Sequence, residues 1–139
     1  MRIAVTSQNF RTVTGHAGRA RRFIVFEGDG SEPPKEVERL DLAANMSMHD
    51  YDPEASHPLD GVNVVITGGA GEGFVRRMAA RGVRVVGTDE STPHLAVEAF
   101  FAGRVRPATV VQPSSTVEVV KVYFNGRTKA ADGDNQENG

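Results

Sequence analysis

Apolar residues in this chain come in short runs separated by glycine, proline and charge, and the spacing within each run suggests an element. Val62 to Ile66, interrupted only by Asn63, is continuous enough for a buried strand. Gly68-Gly69-Ala70-Gly71-Glu72-Gly73 follows, then Phe74, Val75, Met78 and Ala79 at helical spacing, with Gly82 placed to end that helix. Arg2 to Thr6 (RIAVT) and Phe23 to Glu27 (FIVFE) are rich in β-formers, and Gly28-Asp29-Gly30 ends the second with a turn. Beyond Pro33-Pro34, Val37, Leu40 and Leu42 leave Glu36 to Leu42 open to helix or strand. We read it as a strand paired with its predecessor in a hairpin. Val83 to Gly87 (VRVVG) is the next strand. Thr92-Pro93 resembles a helix cap followed by proline at the first helical position. The helix it opens, His94 to Phe101, offers Leu95, Val97, Ala99 and Phe101 for packing before Gly103.

The remaining stretches are weaker. Residues 43 to 60 carry Pro53, Pro58 and mixed polar residues, so a loop is expected, with one helical turn at Asp52 to His57. Val117 to Phe124 alternates enough for an additional strand, and Thr128 to Gly139 is polar and expected to be disordered. A meander of antiparallel strands followed by strand, helix, strand, helix predicts an α/β fold, a mixed sheet with helices on its faces. A chain of 139 residues holds one such domain.

Charge and composition narrow the chemistry. A formal charge of −2 argues against nonspecific nucleic-acid binding. Residues 11 to 22 hold Arg11, Arg19, Arg21, Arg22 and His16 with no acid, whereas residues 27 to 60 hold ten acids against Lys35 and Arg39. The arginines are of a kind to clamp carboxylates bidentately, as on an organic acid, although solvent exposure is expected for at least two of the four. There is no cysteine, which removes thiolate-ligated zinc and iron–sulfur sites built by this chain alone. No apolar run is long enough to span a bilayer and the N-terminus has no signal-type core, so a cytoplasmic protein is expected.

A strand feeding a glycine loop and then a helix is local geometry that holds anions, with glycine supplying positive φ and close access to backbone amides. GGAGEG lacks the Lys-Ser/Thr of a phosphate-binding loop, and the following strand has no acid before Asp89, so nucleotide hydrolysis and dinucleotide binding gain little support. Metal-dependent nuclease chemistry is also disfavoured, because RIAVT and VNVVIT contain no acid. His16, His49, His57 and His94 form no short metal-binding spacing. His49 and His57 lie with Asp50 and Asp52 in the acidic loop, either as a weak divalent site or as a solvated loop. His94 opens the last helix, where packing or exposure is the usual outcome.

Three stretches together carry a resemblance: RIAVTSQNFRTVTGHAGRARRFIVFE, GVNVVITGGAGEGFVRRMAARGVRVVGT and TPHLAVEAFFAGRV. They resemble the dinitrogenase iron–molybdenum cofactor biosynthesis family, which includes NifX- and NafY-type carriers and the C-terminal domain of NifB. The family pattern has a K-I-A-V-type strand, H-F-G-R-A-x-x-F before a second strand, and V-D-V-V-I-x-G-G-x-G. The resemblance covers residues 1 to 106 and implies a ribonuclease-H-like mixed sheet of about five strands. On that division 107–127 is an extension and 128–139 a tail. By residue it implies cofactor binding at His16, Gly18, Arg19, Gly68, Gly69 and Gly71, with His16 as a metal ligand; Ala17 replaces the usual phenylalanine. The implied function is non-catalytic carriage of an iron–molybdenum or other metal–sulfur cluster or precursor. A regulatory or interaction domain of the same fold without a cluster is the alternative. Metal-cofactor assembly proteins are the implied partners, with no nucleic acid or membrane, and the protein itself is expected to be a monomer or weak homodimer.

Overall fold

The structure, a computed structural model, describes residues 1–109. The strand expected at Val117 to Phe124 and the tail from Thr128 lie outside the described residues. Five strands form one sheet: β1 (Arg2–Thr6), β2 (Arg22–Glu27), β3 (Lys35–Asp41), β4 (Val64–Thr67) and β5 (Arg84–Gly87). Their spatial order is β3-β2-β1-β4-β5. The β1–β2 and β2–β3 pairs are antiparallel, and the β1–β4 and β4–β5 pairs are parallel. Helix α1 (Glu72–Ala80) crosses from β4 to β5, and α2 (Pro93–Phe101) follows β5. This is the mixed α/β sheet, with helices on its faces, that the element order and the family resemblance implied.

Strand side chains alternate with a period of two and so feed two cores. On one face Ala4, Val25 and Val65 meet Phe74 and Met78 of α1. On the other, Ile3, Val5, Ile24, Phe26, Val64 and Ile66 meet Ala96 and Val97 of α2. Burying Phe74 and Met78 completely contributes about 1.5–3 kcal/mol each. Those two, one turn apart, set the line of contact of α1, and Ala79 rolls off it into solvent. In α2 the small residues Ala96 and Ala99 face inward with Pro93 and Val97, which leaves Leu95 45% exposed on the opposite side.

Strand β3 contrasts with its neighbours, since only Leu40 of its residues is even partly buried. Apolar content did not make it a strand. Pairing with β2 did, through a register shift between Val25 and Phe26. Its Lys35, Glu36, Glu38, Arg39 and Asp41 leave the open sheet edge charged, which discourages pairing with another edge.

Between β3 and β4 three short 3-10 turns run at Ala44–Met46, Met48–Asp50 and Pro58–Gly61. The helical turn expected at Asp52 to His57 is not there. That stretch makes an ordinary turn, Ala55 N–H to Asp52 O at 3.2 Å, and the helical turn begins after it. His57 is the reason. It caps Pro58–Gly61, its Nδ1 accepting from Leu59 N–H at 3.0 Å, while Asp60 accepts from the His57 N–H at 2.8 Å. Leu42, Met48 and Leu59 close this segment over the α1 core.

Candidate functional site

Because β1 and β4 are parallel neighbours, the loops after Thr6 and Thr67 open on the same edge of the sheet. The two threonines are fully buried, with their hydroxyls 3.0 Å apart. The Thr6 hydroxyl donates to the Thr14 carbonyl, and that carbonyl also accepts the Gly68 N–H at 2.9 Å. The Thr67 hydroxyl donates to Gly69 O at 3.0 Å, and Gly69 O accepts Ala17 N–H at 3.1 Å as well. The loop that carries His16 is thereby stitched to the glycine loop on both sides of that residue.

Close approach, not handedness, is what the glycines provide. A Cβ on Gly68 would stand 3.3 Å from the Thr14 carbonyl oxygen, and one on Gly15 would stand 3.4 Å from Gly69 N. The positive φ expected in the glycine loop is not found there. Among the described residues it occurs at Gly30, Gly82, Gly103, Phe10 and His16. The Gly69 amide, which an anion would use, instead donates to the Thr67 hydroxyl at 3.2 Å. The Ala70 amide donates to Ala108 O at 3.1 Å. Gly71 caps α1, whose first-turn amides have no intrahelical acceptor and so keep the positive end of the helix dipole directed at this edge.

The sequence profile described as "Dinitrogenase iron-molybdenum cofactor" matches residues 1–103. The chain belongs to this family. A Thermotoga protein with a provisional NifB assignment superposes with a TM-score of 0.55 at 23% identity, covering 80% of this chain and 96% of its own. The apo form of the orange protein from Desulfovibrio gigas gives 0.54 at 26% identity, covering 77% and 92%. A Methanocaldococcus jannaschii protein with a provisional dinitrogenase assignment gives 0.55 at 11% identity, covering 76% and 91%. No curated protein matches the chain.

Within this member of the dinitrogenase iron–molybdenum cofactor family, His16 is exposed, sits at φ 52° and has no capping hydrogen bond. It precedes the turn Ala17–Arg19, in which Gly18 is buried. Arg19 Nη2 donates to His49 Nε2 at 3.1 Å. Guanidinium does not give up its proton, so His49 Nε2 is the bare acceptor and Nδ1 carries the hydrogen. Among the described residues that buried Nδ1 has no partner. Arg21 donates through Nε to Leu42 O at 3.0 Å, Arg22 pairs with Asp41 at 3.3 Å, and Arg11 is exposed. Of the four arginines, Arg21 and Arg22 are therefore engaged within the fold, Arg22 also reaching Gln8 O at 3.2 Å.

The other histidines serve the fold. His57 is 5% exposed, and besides capping through Nδ1 it donates through Nε2 to Met46 O at 2.8 Å. Burial lowers its pKa. With both ring nitrogens engaged it cannot join His49, Asp50 and Asp52 around a divalent ion, and among the described residues no group of three or more His, Cys, Asp or Glu is arranged to hold a metal. His94 pairs with Glu98 one turn along α2 at 3.3 Å and lies edge-on to Phe26. No helix among the described residues is long and apolar enough to cross a membrane.

Arg106 is the residue missed from sequence. Its Nη2 donates to Gly68 O at 2.6 Å and to Thr88 O at 3.2 Å, and its Nε pairs with Asp89 at 2.8 Å. On its outer side lies an open groove of about 350 Å³ lined by Thr88, Asp89, Glu90, Arg104 and Val105. Its partners are 17 to 38 positions away, and no local motif marks it. His57 did have a local signal: histidine, proline, then an acid three residues on is a capping arrangement with proline at the first helical position.

Proposed function

We propose that this protein is a non-catalytic carrier of a metal–sulfur cluster of the iron–molybdenum cofactor class or of its precursor. His16, Gly18, Arg19, Gly68, Gly69 and Gly71 form the binding edge, and His16 supplies a metal ligand. The observation that carries this reading is His16 itself. It is an exposed residue held in the left-handed region, its neighbours Thr14 and Ala17 are tied to the glycine loop, and its side chain makes no capping hydrogen bond. One imidazole with no cysteine suits a cluster that arrives with its own sulfides, since a bare ion needs several protein ligands. Arg19 and the first-turn amides of α1 add positive potential for the negative charge of such a cluster. Gly69 lends its backbone shape to this edge, since its amide is engaged with Thr67.

The carrier works in the cytoplasm as a monomer or weak homodimer and exchanges its cargo with metal-cofactor assembly proteins. A regulatory domain of the same fold that holds no cluster is the competing reading. It draws on the internal engagement of the Gly69 and Ala70 amides. Anaerobic incubation with synthetic iron–sulfur and molybdenum–sulfur clusters, followed by desalting and absorption spectroscopy, separates the two. Retained charge-transfer bands that His16→Ala loses support the carrier. Wild-type protein that emerges colourless, or a His16→Ala variant that retains as much cluster as wild type, overturns it.

A further inference from the structure

The chain does not stop at α2. It turns back along β5, where Gly87 and Arg106 exchange backbone hydrogen bonds of 2.8 and 3.1 Å. Two residues later Ala108 is buried in the α1 core and accepts the Ala70 amide. Ala70 and Thr109 then form an isolated parallel bridge. Residues 104–109 are thus a strap laid across the C-terminal ends of β4 and β5, and Arg106 is its most connected side chain.

The strap acts on the glycine loop at two points. Arg106 takes Gly68 O, and Ala108 O takes Ala70 N–H. Gly68 N–H and Gly69 O are taken from the opposite side by Thr14 and Ala17. The loop is therefore gripped from both flanks, and the strap closes the β5 flank. β5 itself is fitted to this arrangement: a Cβ on Gly87 would lie 2.6 Å from Arg106 Nη1 and 2.6 Å from the Pro107 carbonyl oxygen. A real Cβ essentially never comes that close to a neighbour, so only glycine at 87 leaves room for the strap.

We infer that Arg106 is a positioning residue for the candidate site: it fixes the shape of the glycine loop and restricts cargo to the flank that carries His16 and Arg19. This rests on the carrier reading for the cargo, but not for the loop. Three donors of one guanidinium, aimed at Gly68 O, Thr88 O and Asp89, join the loops after β4 and β5 through a planar fork that the compact ammonium of lysine cannot reproduce.

The test pairs amide hydrogen exchange with cluster uptake in Arg106→Ala, Arg106→Lys, Asp89→Asn and, as control, Arg104→Ala. Arg106→Ala should speed exchange at Ala70 and Gly87 by tenfold or more, leave the β1–β2 amides as in wild type, and weaken retention of a molybdenum–sulfur cluster by a similar factor. Lysine should fail to restore either property. If Arg106→Ala does not fold, Asp89→Asn carries the test. It keeps the Gly68 contact but removes the negative charge that pairs with Nε, leaving only a neutral amide oxygen as acceptor, and it should show a smaller increase at the same two amides. Arg104→Ala should match wild type in both assays. Unchanged exchange at Ala70 in the folded Arg106 and Asp89 variants overturns the inference. So does faster exchange with cluster retention unaltered. A wild-type protein that takes up no cluster defeats the carrier reading alone, and the exchange arm still decides the role of Arg106.

Discussion

Two irregular segments flank the sheet, and they use histidine in opposite ways. In the loop from 43 to 61 His57 is buried, both of its nitrogens are bonded, and its neighbours converge on it. Tyr51 lies edge-on at 4.6 Å, and Arg81 from the end of α1 reaches Asp60 at 2.8 Å. In the loop from 7 to 21 the backbone is just as constrained, yet His16 faces solvent without a capping bond. The first arrangement consumes the chemistry of imidazole in holding the chain. The second holds the chain by other means and leaves the imidazole uncommitted. The His16 side chain stands apart from the hydrogen bonds that tie Thr14 and Ala17 to the glycine loop.

The contrast can be broken by moving stability and uptake separately. The largest stability effect is expected at Arg81. It is 9% exposed and donates to Asp60, Ala55 O and Asp52 O. Arg81→Ala should lower the free energy of unfolding by about 2–3 kcal/mol, the range for losing partly buried hydrogen bonds to a charged group. Chemical denaturation measures this, and cluster uptake by the folded fraction should not change. A variant that keeps its stability would mean that the 43–61 segment is held without the help of Arg81.

Next in size is a dependence on pH. Burial lowers the pKa of His57 below its ordinary value of 6.5. The unfolded chain therefore binds that proton first, so stability is full above this value and declines as pH falls below it. Asp60, held low mainly by its hydrogen bond with Arg81, adds a second decline beneath its ordinary 3.8. Melting temperatures at about pH 7.5 and about pH 5.5 should show the first decline, and His57→Asn, an N-capping residue that does not titrate, should flatten it. An equal slope in both proteins would place the responsible group elsewhere.

The smallest effect has the opposite sign. A non-glycine residue in the left-handed region carries strain of about 1 kcal/mol, which glycine relieves at some cost in unfolded-chain entropy. His16→Gly should therefore leave stability unchanged or raise it by about 0.5 kcal/mol, while removing the proposed metal ligand. Loss of stability in this variant would show that the imidazole packs after all and would dissolve the contrast with His57.

The sheet was readable from the chain because its strands are short apolar runs whose partners follow from connectivity. The expected hairpin of Phe23 to Glu27 with Glu36 to Leu42 is the β2–β3 pair, offset by a residue at its ends. The proximity of His16 to the glycine loop was also within reach, since two parallel strands must send their following loops to one edge. What could not be read is the direction of individual amides. Whether Gly69 N–H faces a ligand or the Thr67 hydroxyl depends on a bend of two residues. The role of Arg106 depends on contacts up to 38 positions distant, and no periodicity encodes them.

The close fit of the strap against Gly87 has a consequence for how the sequence can diverge. Any side chain at 87 meets the Pro107 carbonyl, a backbone atom that cannot swing aside, so the return of the chain along β5 and the glycine at its end must be kept or lost together. Among relatives, positions 87 and 106 should therefore change as a pair. Members with a bulky residue at the first should lack arginine at the second and carry their C-terminal segment along another path. That linkage offers a way to sort the family by how the C-terminal segment meets β5.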